Sequence, residues 1–106
     1  MHDDLTVLFV EDDPHVLLGC QQALLLEDIP VVGCASAEQA LQKIEAGMVP
    51  GIVISDIRLP GMDGLTLMDR LLQVDRQLPV VLITGHGDVP MAVQAMKDGA
   101  YDFVEK

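Results

Sequence analysis

Residues Val53–Gly64 read VISDIRLPGMDG, and this stretch decides the fold. The apolar run Ile52-Val53-Ile54-Ser55 leads straight into Asp56, and Pro60-Gly61 and Asp63-Gly64 mark the loop beyond it. A short apolar run bounded by turn residues predicts a buried strand of a parallel sheet. Asp56 then stands at the carboxyl end of that strand, the edge where open α/β sheets bind ligands. Asp is also a common turn residue, so by itself Asp56 could simply cap the turn.

Working outward, the same grammar repeats. Leu5–Val10 (LTVLFV) is a first strand, followed at once by Glu11-Asp12-Asp13-Pro14. Pro suits the first helical turn and Asp13 before it suits the N-cap, so a helix is predicted from Pro14 to about Glu27. Its apolar positions are Val16, Leu17, Cys20, Ala23 and Leu24. Pro30–Cys34 is a second strand. Ser36 and Gln39 have the capping-box spacing for a second helix, with Ala37, Ala40, Leu41 and Ile44 inward and Gly47 at its end.

After the Ile52–Ser55 strand, a third helix starts near Asp63-Gly64 and carries Leu65, Met68, Leu71 and Leu72. Leu78–Thr84 is a fourth strand, and Gly85–Asp88 reads as a loop. A fourth, Ala- and Met-rich helix places Val89, Ala92, Val93 and Met96 on one face and stops at Gly99. Tyr101–Val104 is a fifth strand. Strands alternating with helices demand parallel pairing and right-handed crossovers, with helices on both sheet faces. A last strand without a following helix leaves one sheet face uncovered, so a further crossover element is expected beyond Lys106.

Bulk properties agree with one globular domain. The chain has 106 residues, half of them hydrophobic, with a net charge of −11. Phe9, Tyr101 and Phe103 are its aromatic residues, so the core must be aliphatic. An acidic chain repels phosphate backbones, which argues against direct nucleic-acid binding and suits a divalent cation or a basic partner. Cys20 and Cys34 lack metal or redox spacing. Asp3 and Asp4 stand where a secretory leader would be basic, and no apolar run reaches membrane-spanning length. The cytoplasm is the expected compartment.

With all strands parallel, their carboxyl ends share one edge. Glu11, Asp12 and Asp13 follow strand one, Asp56 follows strand three, Thr84 closes strand four and Lys106 follows strand five. Carboxylates gathered there repel one another unless a cation joins them, and hard oxygen donors suit Mg²⁺ or Mn²⁺. An Asp carboxylate can also be a nucleophile that forms an aspartyl phosphate. The ammonium of Lys106 and the hydroxyl of Thr84 suit the charge such a group brings.

The segments VLFVEDDP, VISDIRLPGMDG, VVLITGHGD and DGAYDFVEK together resemble the receiver domain of two-component response regulators. TGHGDVPMAVQAMKDGAYDF is most similar to receivers of the NtrC/DctD and FixJ type, which regulate transcription. The resemblance implies a flavodoxin-like (CheY-like) doubly wound α/β sheet of five parallel strands in the order 2-1-3-4-5, with the family's last helix absent. Residues 1–106 would form a C-terminally truncated receiver domain, with the output domain, a sigma-54-type ATPase or a helix-turn-helix module, not included.

The resemblance also implies roles. Asp56 would accept a phosphoryl group from a sensor histidine kinase. Asp12 would ligate the metal directly, Glu11 through water, and the backbone carbonyl of Arg58 would be a further ligand. Lys106 would pair with the phosphoryl group, Thr84 would turn its hydroxyl toward it, and Phe103 would be the aromatic that follows. Arg58 and His86 would flank the path of water and tune dephosphorylation. The family continues past this Lys, so Lys106 is expected to be poorly positioned. The fourth helix and fifth strand would mediate a phosphorylation-dependent homodimer. Such a domain is a regulatory phosphoacceptor and not a turnover enzyme.

Two other chemistries fit less well. A Mg²⁺-dependent aspartyl phosphatase places its nucleophile after strand one, not strand three. A flavodoxin-like cofactor binder needs a phosphate-cradling loop after strand one, where this chain is acidic. The complete residue set argues against a degenerate, docking-only receiver, although the absence of the family's last helix keeps that alternative open.

Overall fold

The computed structural model describes residues 6–106, so Leu5 of the first predicted strand lies outside the described residues. The strands are β1 (Val7–Val10), β2 (Val31–Cys34), β3 (Ile52–Asp56), β4 (Val80–Thr84) and β5 (Asp102–Glu105). The helices are α1 (Pro14–Leu26), α2 (Ala37–Glu45), α3 (Gly64–Val74) and α4 (Val89–Asp98). All neighbouring strands pair in parallel, in the order β2-β1-β3-β4-β5. The order reverses between β1 and β3, which opens a crevice at their carboxyl ends.

Alternation along the strands separates the two faces. Leu8 and Val10 of β1, Val53 of β3, and Val80 and Leu82 of β4 join one buried cluster. Ala37 and Ala40 of α2, Leu67, Met68 and Leu71 of α3, and Ala92 and Ala95 of α4 complete it. Right-handed crossovers put these three helices on one side and α1 on the other. No residue of α1 is buried. Ile54, Val81 and Ile83, which alternate with the buried positions, are only partly covered.

Local chemistry fixes three helix starts. Asp13 Oδ1 accepts from the His15 N–H at 2.9 Å, Ser36 Oγ from the Gln39 N–H at 3.1 Å, and Asp63 Oδ1 from the Thr66 N–H at 2.8 Å. Each satisfies an amide that the helix itself leaves unpaired. The capping box differs from expectation in one bond, since Gln39 Oε1 accepts from the Ala35 N–H at 3.0 Å. At the other ends Gly47 and Gly99 adopt positive φ, 109° and 119°, which glycine reaches without the Cβ penalty.

Two expectations need correction. Gly85–Asp88 is not wholly loop, because His86–Asp88 form a single 3-10 turn leading directly into α4. The α4 face is also turned from the one predicted. Ala92 and Ala95 are buried, while Val93 and Met96 are exposed. Two small alanines let the helix lie close to the sheet, which the larger Val and Met could not do. Among the described residues no helix is long and apolar enough to cross a membrane.

Candidate functional site

The sheet register builds the site. Val10 pairs with Ser55, so the next residues, Glu11 and Asp56, emerge side by side at the crevice. The Glu11 N–H continues the sheet by donating to the Cys34 carbonyl at 3.0 Å. Glu11 is 3 % exposed and Asp56 2 %, whereas Asp12 lies in solvent. Glu11, Asp12 and Asp56 each offer a carboxylate oxygen within 4.8 Å of the other two.

Such crowding is unfavourable without a counter-charge. Burial, reinforced by the Asp56 charge, raises the Glu11 carboxyl above its ordinary value, against the opposing pull of the Asp13 N–H and Lys106. The Asp13 N–H donates to Glu11 Oε2 at 3.0 Å. Asp13 itself is spent on capping α1, so it stands apart from the carboxylate trio. Three hard oxygen donors, one open to solvent, fit Mg²⁺ or Mn²⁺, which keep several waters.

Lys106 supplies the positive partner. Its Nζ donates to Asp56 Oδ2 at 2.7 Å. Its backbone N–H donates to the Thr84 carbonyl at 2.9 Å, extending the pairing of β4 with β5. Lys106 is therefore well placed, contrary to the expectation from its terminal position. The bond to Asp56 raises its ammonium pKa above the ordinary value. The other carboxylate oxygen of Asp56 accepts from the Arg58 N–H at 3.3 Å.

Thr84 is fully buried at the end of β4, and its hydroxyl donates to the Gly85 carbonyl at 3.1 Å. Phe103 is half-buried, paired in register with Leu82, and packs against the main core. The structure thus brings Glu11, Asp12, Asp56 and Lys106 into one constellation with Thr84 at its rim. The side chain of His86, predicted to tune dephosphorylation, lies outside the described residues.

Two contributors escaped the sequence reading. Asp88 receives the Arg58 guanidinium in a two-point ion pair, Nε to Oδ2 at 2.9 Å and Nη2 to Oδ1 at 2.7 Å. This pair holds the Asp88 carboxyl below its ordinary range. The acid directly before Val89-Pro90 signals a helix start, yet nothing local names Arg58 as its partner. Gly64 is the other. Its N–H donates to the Ile57 carbonyl at 2.9 Å, and a Cβ there would collide with the Asp56 carbonyl oxygen.

Residues 7–106 match the family described as Response regulator receiver domain. The chain is 52% identical over 101 residues to the C4-dicarboxylate transport transcriptional regulatory protein DctD of Rhizobium meliloti (strain 1021), covering 95% of this chain and 22% of that protein. It is 40% identical over 103 residues to the transcriptional regulatory protein FixJ of the same organism, covering 97% of this chain and 50% of that one. The chain therefore spans between about a fifth and a half of these relatives. The crystal structure of FixJ-N superposes with a TM-score of 0.86 at 39% identity, over 97% of this chain and 82% of that one.

Proposed function

The chain belongs to the response regulator receiver domain family, and from that premise we propose that Asp56 is its phosphoacceptor. The Asp56 carboxylate attacks the phosphorus of a phosphohistidine on a sensor histidine kinase. A P–O bond forms, the P–N bond breaks, and the imidazole leaves with the bonding pair. The product is an acyl phosphate at the end of β3.

Glu11, Asp12, Asp56 and the Arg58 backbone carbonyl are the groups that would hold Mg²⁺ or Mn²⁺. When bound, the ion supplies positive charge against the equatorial phosphoryl oxygens. Lys106 pairs with one of those oxygens in exchange for its bond to Asp56. The Thr84 hydroxyl leaves the Gly85 carbonyl to donate to another, and Phe103 fills the space vacated. Only contacts that differ between the two states can shift their populations, and the Thr84 bond is one.

The moving surface, α4 and β5, forms the phosphorylation-dependent homodimer contact and passes the signal to an output domain that regulates transcription. The domain itself does not bind DNA. Arg58 and His86 tune the lifetime of the acyl phosphate by restricting water. The cytoplasm is the compartment this reading assigns.

The observation that carries the reading is the meeting of three carboxylates with the Lys106 ammonium, 2.7 Å from Asp56. Incubation with acetyl phosphate and Mg²⁺ tests it. Intact mass rises by one phosphoryl group in the parent and not in Asp56→Asn. An unchanged parent mass, or a rise in Asp56→Asn, overturns the assignment.

A further inference from the structure

Of the four helices among the described residues, three begin with a side-chain cap on an extended residue, Asp13, Ser36 or Asp63. The fourth does not. Asp88 occupies the N-cap of α4 with φ −109° and ψ 6°, and its carboxylate makes no capping bond. Both its oxygens are engaged by the Arg58 guanidinium. An N-cap side chain ordinarily accepts from the second or third helical N–H. In α4 the second residue is Pro90, which has no N–H, so the Met91 N–H is the single amide open to an Asp88 cap.

Arg58 also adjoins the phosphoacceptor. Its backbone N–H holds Asp56 Oδ1 while its side chain reaches Asp88. The two members of the ion pair are unequally secured. The Arg58 side chain is 72 % exposed and the Asp88 side chain 8 %. The exposed partner is free to move, whereas the covered one must find a replacement donor if it is abandoned.

We infer that phosphorylation hands Arg58 from Asp88 to the phosphoryl group, and that the released Asp88 carboxylate turns to cap α4 at the Met91 N–H. A phosphoryl group carries about −1.5 to −2 charge and three strong acceptors, against the single charge of Asp88. The planar guanidinium forks onto phosphate as readily as onto carboxylate. The ion pair is thus a strut that keeps the start of α4 in its unphosphorylated form, and its loss rebuilds the first turn of a helix on the output surface. This goes beyond the proposed role of Arg58 in excluding water, and its phosphoryl half rests on Asp56 being the phosphoacceptor.

Amide hydrogen exchange at Met91 reads the switch. In Arg58→Ala without any phosphoryl donor, Asp88 is already free, and Met91 exchange slows about fivefold, the protection expected of one N-cap bond. Asp88→Asn, which keeps a capping oxygen but loses the ionic fork, slows it too. Asp88→Ala leaves it fast in every state. In the parent, acetyl phosphate with Mg²⁺ slows Met91 exchange to the Arg58→Ala rate. An unchanged Met91 rate in Arg58→Ala overturns the competition. A parent whose mass rises by one phosphoryl group without any change at Met91 overturns the handover. A parent whose mass does not rise overturns the phosphoacceptor reading and the handover with it, a failure that the Arg58→Ala result separates from failure of the strut.

Discussion

The ammonium of Lys106 donates to the carboxylate of Asp56 at 2.7 Å, across 50 residues of chain. Asp56 is buried while half of the Lys106 side chain meets solvent, 3 % against 51 % exposed. The bond is held from behind, since the Lys106 amide is fixed to the Thr84 carbonyl. Lys106 thereby becomes a defined part of the crevice.

That bond sets an alkaline limit on stability. The Lys106 pKa is raised in the folded chain, so its stabilising contribution is complete below the ordinary value of 10.5 and is lost as pH rises through the raised one. Lys106→Met is therefore less stable than the parent at neutral pH, and the two curves converge above the lysine range. Urea denaturation at several pH values checks this, and a gap that persists at high pH counts against the ion pair as its source.

Glu11 acts in the opposite sense. Its folded pKa lies above the ordinary 4.5, so the protonated form favours folding. That benefit is complete below pH 4.5 and disappears as pH rises through the raised value, leaving a cost at neutral pH. Glu11→Gln is expected to raise the thermal midpoint of the metal-free chain at pH 7. Mg²⁺ at about 100 times its dissociation constant would stabilise the parent by about 2.7 kcal/mol. The variant gains clearly less from the same addition. Scanning calorimetry with and without Mg²⁺ measures both effects.

Two glycines are expected to respond in opposite directions. A Cβ at Gly64 meets the backbone of Asp56 and Ile57, which cannot swing aside. Gly64→Ala should cost about 1–3 kcal/mol, as overpacking does, and lower the yield of phosphoryl acceptance. Gly19 lies exposed within α1, with nothing near an added Cβ. Gly19→Ala should stabilise by about 0.5–1 kcal/mol through helix propensity. Denaturation midpoints of the two variants decide the matter.

Glu38 ties α2 to the loop beyond β3. Its Oε2 accepts from the Met62 N–H at 3.1 Å, and this bond lowers its pKa below 4.5. The contribution is present above pH 4.5 and lost as pH falls through the lowered value. Glu38→Ala should speed Met62 amide exchange at neutral pH, and the stability gap to the parent should close in acid. Equal Met62 exchange in both chains would show that the loop holds itself.

Thr84 separates stability from signalling. Replacing its hydroxyl by the methyl of Val keeps the shape and removes one bond to the Gly85 carbonyl, a change of about 1 kcal/mol. Thr84→Val should still accept the phosphoryl group, as intact mass reports. Its β5 amides should then fail to shift on phosphorylation, which heteronuclear NMR follows.

Much of the molecule was legible from residue order. Alternating apolar periods marked each strand and helix, and parallel crossovers sent Glu11, Asp12, Asp56, Thr84 and Lys106 to one edge, because chain direction alone dictates which strand ends coincide. Asp13, Ser36 and Asp63 announced three helix starts, since a cap acts within three residues of itself. Tertiary structure decided the rest. The choice of Ala92 and Ala95 over Val93 and Met96 as the buried pair of α4 depended on how closely that helix approaches the sheet. Asp88, directly before α4, pairs with Arg58, 30 residues earlier, because two loops meet at the crevice. The need for Gly64 came from the nearness of the Asp56 backbone. Hydrophobic period and capping are written in neighbouring residues, whereas the competition for one guanidinium or one gap arises only when distant segments are brought into contact.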